Sequence, residues 1–166
     1  MLVYFELEYM MLQNMDARMI FEENFSMNYR KIIGNTYAVR LSSGEDIIAS
    51  LARFAAEKNI GGAVSAIGSI FWAELGYFDV HEKKYIRKRF DEEMEIVSLM
   101  GNITYRDGEP VVHLHAVLGR ADYSTIGGHL FAGEVSATCE IIISPWNADE
   151  ILRKFDGTFN LALWDV

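Results

Sequence analysis

Three histidines fall close together in this chain: His113 and His115 within residues 111–119, and His129 fourteen residues further on, after Gly127-Gly128. The only other histidine is His81. Residues 111–119 read as a β-strand, and side chains alternate faces along a strand, so His113 and His115 point the same way. Their imidazoles can converge on one ion, and His129 can close the site from a neighbouring turn. Three neutral imidazoles around Zn²⁺ leave a coordination position free, so such a site can take a further small-molecule ligand. The competing readings are surface imidazoles or hydrogen-bonded core histidines. Val111, Val112, Leu114, Ala116, Val117 and Leu118 make the strand apolar on both faces, so two same-side imidazoles there need a partner, and one metal ion satisfies both.

Other candidates surround this cluster. Paired glycines allow positive φ and close backbone approach, so Gly127-Gly128 can fold His129 back over the strand. Glu134 follows shortly after and can serve as a fourth ligand, an orienting group or a base, or as a solvated turn residue. The glycine-rich segment 61–69 is no phosphate loop, because it lacks the Gly-Lys-Ser/Thr ending and opens no helix. Its small residues let strands or subunits approach closely. Cys139 sits in a β-branched run and reads as a buried, inert thiol.

The elements that must hold these residues follow from patterning. Residues 36–41 alternate as a strand. Ser42-Ser43-Gly44-Glu45-Asp46 starts a helix with capping hydroxyls and acids. Ile47, Ile48, Leu51, Phe54 and Ala55 give that helix its apolar face until about Lys58. Strands are expected at 63–69, 72–79, 84–90, 95–105, 111–119 and 135–144, with a hairpin turn at 106–109. Pro145-Trp146-Asn147 is expected to break the last of these. One or two helical turns then follow within 148–155, and a short strand at 160–164. One early helix followed by a meander of strands indicates an α+β fold with a largely antiparallel sheet.

Composition bounds the function. The 166 residues suit one main domain, at residues 28–166, with a true core. Residues 1–27 contain no glycine, and Leu7, Met11, Met15 and Met19 recur at helical spacing. They read as an N-terminal extension that packs on its own domain or a neighbour, or that precedes a start at Met27. One cysteine excludes an internal disulfide and a Cys-rich zinc finger. No segment is long and apolar enough to span a bilayer, and the N-terminus lacks a secretory pattern, so a cytoplasmic protein is expected. The formal net charge of −9 weighs against DNA as a partner. The local exception is the basic run Lys83, Lys84, Arg87, Lys88 and Arg89, followed at once by Asp91, Glu92 and Glu93.

Several segments, in order, carry a family likeness: Leu41-Ser42-Ser43-Gly44-Glu45-Asp46, residues 62–68, Glu95-Ile96-Val97-Ser98-Leu99-Met100-Gly101-Asn102, His113-Leu114-His115, Gly127-Gly128-His129-Leu130 and, more weakly, Glu140-Ile141-Ile142-Ile143. Together they resemble the plants-and-prokaryotes-conserved (PPC) domain. The resemblance implies an α+β domain assembled as a homotrimer, with metal-ligand histidines at His113, His115 and His129. It also implies the DNA-binding name of prokaryotic members, which comes from plant relatives with a basic AT-hook. This chain has no Arg-Gly-Arg-Pro hook. The family fold is similar to that of acetolactate decarboxylase, which uses a three-histidine zinc site; that is analogy of fold, not of activity. Two functions follow as expectations. One is a DNA-binding or regulatory module with a metal site. The other is a zinc-dependent lyase or hydrolase on a small carbonyl-containing acid, in which Glu134 or Tyr123 moves protons and Arg120 faces the ion.

Overall fold

The computed structural model describes residues 28–166; the expected extension at 1–27 lies outside them. The elements are β1 (Asn28–Lys31), a 3-10 turn (Ile33–Asn35), β2 (Tyr37–Ser42), α1 (Ile47–Lys58), β3 (Ile60–Asp79), β4 (Lys84–Phe90), β5 (Met94–Arg106), β6 (Glu109–Gly119), β7 (Thr125–Asn147), β8 (Leu152–Asp156) and β9 (Leu161–Asp165). All strand pairs are antiparallel except one short parallel contact between β5 and β8. β3 pairs with both β5 and β7, and β6 pairs with the same two strands, so these four close into a ring. The domain is thus a mostly antiparallel sheet with one α-helix among the described residues, richer in strand than the α+β expectation.

The helix forms where patterning placed it. The Asp46 side chain caps it by accepting from the Ala49 N–H at 2.8 Å. Asn59 ends it in the left-handed conformation at φ 53°. Ile47, Leu51, Phe54 and Ala55 are buried and pack on β6 and β7. The Tyr105 hydroxyl donates to the Ala55 carbonyl at 2.9 Å and ties the helix to β5.

Three expectations are corrected. The separate strands at 63–69 and 72–79 are one strand, β3, with an irregularity at Gly68. A Cβ there would strike the Thr138 carbonyl, so glycine lets the bulged strand stay against β7. β7 begins at Thr125 rather than 135 and runs on through Pro145. Pairing of β2 with β7 stops at Ile143, so among the described residues no strand pairs Pro145 on that edge of β7, and its missing N–H costs no ladder bond there. Residues 148–150 make a single hydrogen-bonded turn, with Glu150 N–H donating to the Asn147 carbonyl at 3.0 Å, and no helix; β8 and β9 then form a hairpin. Asp156 builds its turn, accepting from the backbone of Thr158 at 2.8 Å and Phe159 at 3.0 Å.

Candidate metal centre

The register of three strands brings the histidines together. In β6, Leu114, Ala116 and Leu118 are buried, so His113 and His115 stand on the opposite face. His115 lies directly across from His129 in the β6–β7 ladder, and His113 lies across from Asn102 in β5. Directly opposed residues share a face, so all three imidazoles meet on one side of the sheet. His129 therefore reaches the cluster from within a strand, not from a folded-back loop. Gly128 has no positive φ; a Cβ on it would lie 2.8 Å from the Gly76 carbonyl oxygen, and the glycine lets β3 pack close beside the site.

The ring centroids are 5.3 Å apart for His113–His115, 5.0 Å for His113–His129 and 5.4 Å for His115–His129. One nitrogen from each ring lies within 4.8 Å of the others. The Nε2 atoms of His113 and His115 are 3.3 Å apart. Two imidazoles bound to tetrahedral Zn²⁺ at about 2.0–2.1 Å would hold their nitrogens about 3.3 Å apart, so this pair fits an ion with little movement. His129 Nδ1 is buried and has no hydrogen-bond partner among the described residues. Burial lowers the pKa of both His113 and His129 to about 4. Positive charge on Arg153 and on the neighbouring imidazoles adds to the effect, as does Arg87 for His129. Both rings are neutral at pH 7, as ligation requires.

Two groups that sequence reading missed flank the cluster. Arg153 of β8 donates from Nη2 to His113 Nδ1 at 3.2 Å and to Asn102 Oδ1 at 2.9 Å, from Nε to Thr104 Oγ1 at 2.7 Å, and from Nη1 to the Ala162 carbonyl at 2.8 Å. Tyr85 of β4 sets its ring 4.9 Å from His129, with Phe131 completing the aromatic wall 4.5 Å from the same imidazole. Burial raises the Tyr85 pKa, and the nearby Arg153 charge opposes that rise. Arg153 could have been found by reading the Asp156-Gly157 turn as a hairpin signal, which makes residues 152–156 a strand with Arg153 on one face.

Two of the three residues proposed for proton transfer and substrate binding have other partners, and the third faces solvent. Glu134 accepts from Trp72 Nε1 at 3.1 Å. Arg120 pairs with Glu92 at 3.0 Å. Tyr123 is 94% exposed in the turn between β6 and β7. The hydrogen bonds and ring contacts of the three imidazoles include none of them.

Fold and site together define a small β-barrel-like domain with a three-imidazole cluster on its outer surface. The Plants and Prokaryotes Conserved (PCC) domain matches residues 30–147, and the chain belongs to that family. Solved relatives agree. A candidate DNA-binding protein of Bacteroides thetaiotaomicron superposes with a TM-score of 0.79 at 34% identity, covering 84% of this chain and 96% of that one. A metal-containing protein of Archaeoglobus fulgidus gives 0.74 at 36% identity, covering 82% and 97%. A plant- and prokaryote-conserved (PPC) protein of Pyrococcus horikoshii gives 0.74 at 30%, covering 87% and 97%. The acetolactate decarboxylase of Bacillus subtilis subspecies spizizenii superposes only at a TM-score of 0.46. The bifunctional protein GlmU of Synechococcus sp. (strain JA-3-3Ab) is 35% identical over 122 residues, 72% of this chain but 18% of that protein. The chain thus spans less than a fifth of that curated relative.

Proposed function

We propose that this protein is a metal-binding PPC module, holding one zinc-like divalent ion through His113, His115 and His129 and acting as a binding or regulatory component. The observation that carries this reading is the convergence of three imidazoles, two of them already at ligand spacing. The name of the Archaeoglobus relative, a metal-containing protein, agrees with it. The ion would supply a Lewis-acidic centre with an open coordination position.

The same face suggests the assembly. Met100 lies across from His115, and Val117 is two residues from it on the same side. Ser65 lies across from both Met100 and Ile142, with Ile67 beside it. Met100 and Ile67 are 63% and 59% exposed, and Val117 and Ile142 are also exposed. Apolar side chains gathered on one sheet face suit burial against a second copy, and a homotrimer is the assembly that the family resemblance implies. The metal centre then lies beside a subunit boundary.

DNA is the weaker partner. Apart from Lys83, the basic run lies in β4, which among the described residues pairs only with β3. Three of its bases face acids: Lys84 with Glu82 at 3.4 Å, Arg87 with Glu74 at 2.7 Å and Arg89 with Asp91 at 2.6 Å. On a chain of net charge −9, any DNA contact would be non-specific and lost as salt rises. Elemental analysis of the purified protein tests the main reading. About one ion per chain is expected for a His₃ site, and the double variant His113→Ala, His115→Ala should hold none. Equal metal in variant and parent would refute the site.

A further inference from the structure

Arg153 lies beyond residues 30–147, the range matched by the family, and what it does there follows from charge and protons. It is a half-buried guanidinium held by four hydrogen bonds, every one to a neutral group: Thr104, Asn102, the Ala162 carbonyl and His113. None of the ion pairs among the described residues includes it. A cation placed partly out of water with no carboxylate partner is costly unless an anion joins it.

The hydrogen-bond chain sharpens the point. A guanidinium can only donate. His113 Nδ1 therefore accepts from Arg153, the neutral ring keeps its own proton on Nε2, and Nε2 donates to His115 Nε2 at 3.3 Å. Ligation of an ion through His113 Nε2 demands the other tautomer, with the proton on Nδ1. That Nδ1–H opposes the Arg153 N–H, so ligation and this hydrogen bond exclude one another. Both donors then need an acceptor. A divalent ion also adds positive charge to a neighbourhood that has no acid in contact with Arg153.

We propose that the centre binds a small oxyanion, a carboxylate or a phosphate, whose oxygens satisfy both the Arg153 guanidinium and the open coordination position. Tyr85 supplies a further donor: its hydroxyl has no hydrogen-bond partner among the described residues, and its ring lies 4.9 Å from the His129 imidazole, tilted against it. Arg153 is thus a binding residue that the C-terminal hairpin brings to a site built by the central strands. This inference rests on the three-histidine reading.

The test uses the full chain loaded with Co²⁺, whose visible spectrum reports a change in coordination. Acetate and inorganic phosphate are titrated separately into the parent, Arg153→Gln and Arg153→Lys, with cobalt content measured in each. The parent should bind one of the anions in the millimolar range with a spectral change. The tighter anion identifies the class, acetate a carboxylate and phosphate a phosphate. Arg153→Gln should keep its cobalt and lose about 10- to 100-fold in anion affinity, the worth of one charge-assisted hydrogen bond. Arg153→Lys should recover part of that loss, which a merely structural role for Arg153 in anchoring the hairpin would not give. A cobalt-loaded parent that ignores both anions overturns the proposal and leaves the metal site standing. So does an Arg153→Gln variant that binds anion as the parent does. A parent that takes up no cobalt overturns the three-histidine reading and this proposal together.

Discussion

β6 presents Leu114, Ala116 and Leu118 to the core, at most 3% exposed, and His113, His115 and Val117 to the other side, where His115 and Val117 meet solvent. The inward face needs volume and apolarity, and many side chains could supply them. The outward face needs specific atoms in register with another strand. The two demands are linked by the pleat. A slip of one residue between β6 and β7 would move His115 away from His129 and also turn the leucines outward. Burial of the leucines is therefore what fixes the alignment of the imidazoles, and the metal centre inherits its geometry from the core behind it.

Leu114→Ala tests the inward face and should have the largest effect on the fold. The side chain is fully buried in the core, so its truncation should cost about 2–5 kcal/mol. Urea unfolding checks this. A cost below about 1 kcal/mol would mean that the inward face is not tightly packed and does not set the register. Molecules that remain folded should keep the metal.

On the outward face, the double variant His113→Ala, His115→Ala should behave in the opposite way. With zinc present the parent gains the linkage stabilisation of its bound ion, about 4 kcal/mol at a thousandfold excess over Kd, and the variant gains none. In chelator the two proteins should unfold within about 1 kcal/mol of each other, since these positions contribute little to the core. A large difference in chelator would show that the imidazoles are structural.

Acid sharpens the contrast more gently. His113 and His129 titrate near 4 in the fold and near 6.5 when unfolded. Between those values the unfolded chain binds more protons, so stability in chelator should be full above pH 6.5 and fall as pH drops toward 4. Below 4 both states are protonated and this contribution stops changing. Thermal melts across that range should slope in the parent and slope less in His113→Ala. Equal slopes would mean that these imidazoles are not held out of water.

Most of the core was legible in the sequence, and part of the site was. The helix followed from Asp46 and the spacing of Ile47, Leu51 and Phe54, because local capping and periodicity decide a helix end. The same-side pairing of His113 and His115 followed from strand alternation. That His129 lies in a strand opposite His115 did not, because Gly127-Gly128 reads as a turn until β3 is seen packed against Gly128. Arg153 was missed for a related reason: residues 148–155 carry helix-forming side chains, which mask the Asp156-Gly157 turn signal that pairs 152–156 with β9. Glu134 was singled out by its nearness to His129 in sequence, yet five residues along a strand span about 16 Å, and its carboxylate turns to Trp72 instead.

The smallest effect on the fold should come from Val117→Lys, and it tests what covers the outward face. Val117 shares a face with His115 but contributes no ligand atom, and its side chain is exposed in the isolated chain. Lysine there can keep its stem on the sheet and its ammonium in water, so the stability of the chain should change by no more than about 0.5 kcal/mol. If this face is buried against a second copy, the same lysine places a charge in an apolar contact, where it finds no partner. Light scattering should then report a trimer for the parent and a mass one-third as large for the variant. Metal content should stay near the parent's value, because His113, His115 and His129 come from one chain. A parent already monomeric at micromolar concentration would rule out the trimer. A variant that remains trimeric would move the interface away from the histidine face and leave the metal centre open to solvent.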